Sequence, residues 1–196
     1  MQEHLFARLG VGRGEMTFWP EKRRNAGLAT RTAEGGLVQF EGAFLNDGSE
    51  DCMGGHGVYG TVTGFLKVLR SLLRNDGVLL RPETVGMMFE PQLDGECRVA
   101  LQEYLRGPWG FYVVGEVTPE LEVSWGLGGM LHLQDDVGRR RRGTLRWGGI
   151  CNTFWSIDPA ADLALVFATQ VIPPGDKLAE EMISAVEHGV NEMATN

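Results

Sequence analysis

Residues 143–170, GTLRWGGICNTFWSIDPAADLALVFATQ, constrain the fold more than any other stretch of the chain. Thr144–Trp147, Asn152–Ile157 and Leu163–Gln170 read as three consecutive strands, rich in the aromatic and β-branched residues that suit a pleated surface. Asp158-Pro159-Ala160-Ala161-Asp162 supplies the last hairpin turn, because proline presets φ and aspartate bonds the backbone just ahead of it. Connections this short join antiparallel strands. The first strand ends in Trp147-Gly148-Gly149, and adjacent glycines weaken a strand by losing entropy and packing nothing. Either something approaches the backbone there, or the chain only bends.

The same reading extends outward. Phe111–Val117 and Glu122–Leu133 are expected as strands, the second broken by Gly126, Gly128 and Gly129. Upstream the pattern turns helical. Thr61 or Thr63 can cap a helix whose apolar face is Phe65, Leu66, Leu69, Leu72 and Leu73, and Asn75-Asp76-Gly77 stops it. A short helix opens with Pro82 in its first turn, turns Val85, Met88 and Phe89 inward and ends at Pro91. Residues 95–106 form a weaker helix with Ala100, Leu101, Tyr104 and Leu105 apolar. Asp176–Met193 is a long amphipathic helix with Leu178, Met182, Ala185, Val186 and Val190 on one face. Residues 1–9 read as the end of a helix, with Met1, Leu5 and Leu9 on one side, and its uncapped start implies a segment upstream. Residues 10–58 are loop-rich, with a short strand over Leu37–Phe40 and an irregular acidic stretch over 46–57. Helices, then strands, then a closing helix predict an α+β domain over 1–196, incomplete as written. Residues 1–107 form its loop- and helix-rich part, and 108–196 its antiparallel strands and last helix.

Composition closes off several functions. A formal charge of −8 over 196 residues argues against nucleic acid or anionic membranes as partners. No apolar run approaches the roughly 18 residues of a membrane span, and MQEHLFARLG lacks the layout of a secretory signal. Three cysteines, Cys52, Cys97 and Cys151, are widely spaced and odd in number, so they read as reduced thiols of a cytoplasmic protein. Cys52-x-x-x-His56 is at most half a metal site, and His4, His132 and His188 read as surface or locally bonded histidines, so no metal is expected. Neither Gly54-Gly55-x-Gly57 nor Gly10-x-Gly12-x-Gly14 fits a phosphate loop, and no cofactor is expected. Arg139–Arg142 read as a solvated hairpin turn, Cys151 as a small buried hydrophobe, and Trp125, Trp147 and Trp155 as core or pocket wall.

A nucleophile is harder to find. The sequence holds no Ser-x-x-Lys and no Gly-x-Ser-x-Gly; Ser71-Leu72-Leu73-Arg74 comes nearest, and an arginine does not give up its proton to act as a base. What remains is the strand end. The Ile150 N–H can donate to a developing oxyanion, and the bare Gly148 and Gly149 would let a carbonyl lie flat against the strand. Such a donor is worth about 3–4 kcal/mol of transition-state stabilisation. A glycine bend under packed tryptophans explains the same spacing.

The order of segments resembles the β-lactamase-related serine hydrolases and acyltransferases: the class C β-lactamases, related esterases, and the fungal transesterases that acylate polyketides. Trp147-Gly148-Gly149, Ile157-Asp158-Pro159 and Phe167-Ala168-Thr169-Gln170 are similar to the esterase and transesterase version of the C-terminal strands. MQEHLFARLG and GGHGVYGTVTGFLKVLRSLLRNDGVLLRPETVGMMFEPQL resemble earlier segments, so the likeness spans nearly the whole chain, and the transesterase branch fits best. It implies the C-terminal part of a β-lactamase/transpeptidase-like fold and acyl transfer or ester hydrolysis on a small-molecule substrate, in a secondary-metabolite setting. Trp147-Gly148-Gly149 would be the inner edge strand of the pocket, Ile150 the backbone oxyanion donor, Trp147 a wall in place of the family's lysine, and Tyr59 a pocket-lining residue. In the family, the serine, lysine and tyrosine of the mechanism lie upstream of the segment matching Met1. The chain would therefore be inactive alone, needing a second chain with the missing half, or would act as a non-catalytic scaffold or ligand-binding partner, or would be a fragment of a longer enzyme. The family's N-terminal strands also flank the strand matching Leu163–Gln170, which would otherwise be an open edge.

Overall fold

The computed structural model describes residues 1–18, 27–42, 55 and 57–195. The proposed half-site Cys52-x-x-x-His56 lies outside them. Two short helical turns, Gln2–Phe6 and Ala7–Leu9, open the chain as expected, but Phe6 is the residue they bury, with Val11 and Met16, while Met1 is exposed. Two antiparallel ribbons follow: β1 (Met16–Thr17) pairs with β4 (Tyr59–Gly60), and β2 (Ala29–Arg31) with β3 (Leu37–Gln39).

α1 (Val62–Arg74) forms as its caps dictate. The Thr61 hydroxyl accepts from the Gly64 N–H, and Asn75 takes the left-handed conformation at the far end. Ser71, within α1, donates to Asp76, and that bond holds the Asp76 carboxyl below its usual range. α2 (Pro82–Met88) buries Val85. α3 (Gly95–Arg106) is capped by Asp94; Leu101 and Leu105 pack on the core, whereas Ala100 and Tyr104 face solvent.

Five antiparallel strands then make one sheet in the order β5–β6–β7–β8–β9: Val123–Trp125, Met130–His132, Leu145–Gly149, Thr153–Asp158 and Leu163–Phe167. The expected broken strand over Glu122–Leu133 is two strands. Gly126 donates to the Gly129 carbonyl, Gly128 has φ +100°, and the chain turns back on itself. β7 to β9 follow the sequence reading, in register Trp147↔Trp155↔Val166. The Asp158 carboxylate accepts from the Ala160 and Ala161 N–H groups in the expected turn. Among the described residues β9 pairs with β8 alone and forms the sheet's edge.

Phe111–Val117 is not a strand. Gly110–Tyr112 form a single helical turn, and residues 113–117 are irregular. Side chains replace a ladder partner. Arg146 donates to the Val114 carbonyl, Arg140 to the Gly115 and Glu116 carbonyls, and Glu180 accepts from the Gly115 and Glu116 N–H groups. A backbone so satisfied has no need of a neighbouring strand. The same arginines overturn the solvated turn expected over Arg139–Arg142. Arg139 and Arg140 are buried, with Arg140 Nε 2.6 Å from Glu187 Oε1 and Arg139 Nη1 3.0 Å from Glu116. Arg142 remains exposed.

α4 (Lys177–Thr195) is as long as expected but rolled about its axis. Ala179, Ile183 and Glu187 face inward, Ile183 against Phe154 and Val114, while Leu178 (46 % exposed), Met182 (56 %) and Val186 (36 %) look outward. On this inward face Glu187 forms salt bridges to Arg139 and Arg140. No helix among the described residues is long and apolar enough to cross a membrane, and no cluster there could hold a metal ion.

Candidate functional site

β7 carries Trp147-Gly148-Gly149 at its C-terminal end, as the sequence predicts. It is the middle strand of the sheet. Its end is open on one side: pairing with β6 stops at Met130↔Arg146, while pairing with β8 continues to Gly149↔Thr153. Beyond lies the turn at 150–152. Ile150 is 43 % exposed, and its N–H has no acceptor among the described residues.

The two glycines have packing reasons of their own. A Cβ on Gly148 would stand 2.6 Å from the Val114 Cβ and 2.8 Å from the Thr153 carbonyl, and one on Gly149 would meet the Thr153 hydroxyl at 2.6 Å. The side-chain-bonded segment 113–117 presses on the back of the strand there, so Gly148 answers to Val114. Trp147 meets Trp125 edge-to-face at 4.7 Å, beside Val113, Val123 and Met130. Trp155 meets Phe65 of α1 at 6.3 Å. All three tryptophans are half-buried.

The other singled-out residues scatter. Tyr59, half-buried, belongs to the β1–β4 ribbon opposite Thr17, a different element from β7. Cys151 sits in the turn next to Ile150, half-buried, with burial raising its thiol pKa; such a thiol is a poor nucleophile. Cys97 is exposed and its thiol is pushed up by the Asp94 carboxylate. His4 and His188 are exposed. Two concavities, one around 135–141 and His188, the other between Leu105, Phe111, Val113 and α4, are not lined by Trp147 or Ile150.

Behind β7 lies a buried polar layer that the sequence reading missed. Arg146 is fully buried and donates from Nε to His132 Nε2 at 3.1 Å and from Nη1 to the Val114 carbonyl at 2.8 Å, with Phe154 beneath its guanidinium. Burial and the neighbouring Arg140 push its pKa down. A guanidinium keeps its proton in proteins, so the charge stays and its neighbours must solvate it. His132 is driven to a pKa of about 2, first by burial and then by Arg146, Arg140 and Arg139. It is neutral, accepting at Nε2 and carrying its proton on Nδ1, which has no acceptor among the described residues. The one sequence signal for this layer was a set of charges inside strand patterns, at Arg146 and His132.

No protein-family model matches the sequence. Individual proteins do. Monacolin J acid methylbutanoyltransferase of Aspergillus terreus is 34 % identical over 97 % of this chain and 48 % of its own length. Lovastatin esterase of Penicillium rubens is 36 % identical over 92 % of this chain and 47 % of its own. The chain thus spans about half the length of the curated relatives it matches. Unliganded simvastatin synthase from Aspergillus terreus superposes with a TM-score of 0.89 at 32 % identity, over 98 % of this chain and 49 % of that one. A hydrolase with promiscuous acyltransferase activity shares the fold at 20 % identity and a TM-score of 0.71. Shared sequence and shared topology along nearly all 196 residues make the chain a homologue of the β-lactamase-like acyltransferases and esterases, corresponding to the C-terminal part of their fold.

Proposed function

We propose that the chain supplies the sheet side of an acyl-transfer site, with the Ile150 N–H as oxyanion donor and Trp147 as a wall for an apolar acyl ester. The observation that carries this is the N–H of Ile150, a residue 43 % exposed, which has no acceptor among the described residues and stands one residue past a strand end that has outrun its β6 partner. Gly148 and Gly149 leave that end without side chains, while Trp147 and Trp125 offer an apolar surface next to it. Tyr59 is the further pocket-lining residue. The relatives are a methylbutanoyltransferase and an esterase, which fits transfer or hydrolysis of a small acyl ester in secondary metabolism.

An oxyanion donor lowers a barrier only when a nucleophile attacks, and these 196 residues hold no Ser-x-x-Lys. The nucleophile therefore comes from polypeptide outside this sequence, as a preceding segment or a separate chain. Co-expression with an N-terminal half bearing Ser-x-x-Lys tests this with p-nitrophenyl butyrate as substrate. Turnover is expected only from the pair, is lost when that serine becomes alanine, and falls roughly 10²–10³-fold in Ile150→Pro, which removes the N–H. Turnover by the 196-residue chain alone, surviving mutation of Cys151, refutes the proposal. Ester binding without turnover in the pair favours the scaffold reading instead.

A further inference from the structure

The turn that carries Ile150 is closed by Asn152, which has φ +51° and is completely buried. Glycine meets that dihedral at no steric cost, so the backbone alone does not call for an asparagine. The carboxamide does. Its Nδ2 donates to the Val171 carbonyl at 2.8 Å and the Pro173 carbonyl at 2.9 Å. Its Oδ1 accepts from the Gly175 N–H at 2.8 Å and the Asp176 N–H at 3.1 Å. These four bonds use the full hydrogen-bonding capacity of the side chain. A second tether runs beside them, since the Thr169 hydroxyl donates to the Cys151 carbonyl and accepts from the Val171 N–H.

The anchors are themselves fixed. The Ile172 N–H donates to the Ala29 carbonyl of β2, and the Ala29 N–H to the Gln170 carbonyl. The Asp176 carboxylate accepts from the Ala179 N–H at the start of α4 and takes both Nε and Nη2 of Arg31. Segment 170–176 is thus held from β2 and α4, and it holds the turn in its place. Cys151 and Asn152 are bonded on the side facing this segment, while the adjacent Ile150 N–H is left without an acceptor among the described residues.

We infer that Asn152 is a positioning residue for acyl transfer: it locks the turn after β7 so that the Ile150 N–H keeps one direction before an acyl group arrives. The inference rests on the reading of Ile150 as oxyanion donor. It deepens that reading by naming what preorganises the donor, and preorganisation is what gives such a donor its value.

Two variants separate tether from dihedral. Asn152→Gly keeps the left-handed turn and removes all four bonds; Asn152→Asp keeps the acceptor toward Gly175 and Asp176 and removes the donors. The first readout is ¹⁵N relaxation on the 196-residue chain. In Asn152→Gly the order parameters of Ile150 and Cys151 are expected to fall from about 0.85 to below about 0.6, with Leu145 and Ile157 unchanged and Asn152→Asp between. An unchanged order parameter at Ile150, or an equal fall throughout the sheet, overturns the inference. The second readout is the pair with the Ser-x-x-Lys half. There kcat for p-nitrophenyl butyrate is expected to drop about tenfold or more in Asn152→Gly, short of the ~10²–10³ of losing a donor outright, at unchanged KM. A loosened turn with full kcat overturns the inference. Ile150→Pro with full kcat overturns the oxyanion reading, and the positioning role for catalysis falls with it.

Discussion

Acid should unfold this protein through His132, and the size of the effect follows from its surroundings. The imidazole is buried among Arg146, Arg140 and Arg139, and its folded pKa of about 2 lies far below the ordinary 6.5. The folded state keeps it neutral, and the unfolded chain protonates it below pH 6.5. Its contribution to stability is therefore whole above that pH, shrinks as pH falls, and is gone below a pH of about 2. At about pH 4.5 the unfolded imidazole is protonated roughly a hundredfold over neutral, which costs about 2.7 kcal/mol relative to neutral pH. That figure holds for any folded pKa well below 4. The measurement is a comparison with His132→Gln, whose amide oxygen can accept from Arg146 Nε as Nε2 does, so that every other contribution to acid sensitivity cancels. Urea unfolding of both proteins at about pH 7 and about pH 4.5 gives the answer. The parent should lose about 2.7 kcal/mol more than the variant over that interval. Equal losses would mean that His132 charges freely in the folded state, and the buried arginine layer behind β7 would be wrong.

Three other perturbations test the packing. Gly148→Ala places a Cβ 2.6 Å from Val114 and 2.8 Å from the Thr153 carbonyl, so it should destabilise by about 1–3 kcal/mol in denaturant unfolding, with far-UV dichroism retained. Glu187→Gln removes the carboxylate shared by Arg139 and Arg140 but leaves Glu116 and Asp136 beside them; a loss of about 1.5–3 kcal/mol is expected, read as a lower urea midpoint. Thr61→Ala removes the N-cap of α1 and should cost about 1 kcal/mol by the same measurement.

The candidate site was legible wherever its signal was local. Trp147-Gly148-Gly149, the turn at Asp158 and the caps of α1 each depend on residues within a few positions, and each lies where the sequence placed it. What was not legible depended on partners far along the chain. Residues 113–117 have the composition of a strand, yet Arg140, Arg146 and Glu180, between 24 and 65 positions away, bond their backbone instead. Gly148 has its packing reason in Val114, which lies on that same segment.

The strand run of 143–170, its hairpin turn and the helices α1 and α2 are written in local sequence, because period, capping and turn chemistry act over a few residues. The roll of α4, the burial of Arg139 and Arg140, and the locked turn at Asn152 emerge in three dimensions. Those outcomes follow from charges and carboxamides that must find partners once removed from water, and the partners are chosen in space rather than along the chain.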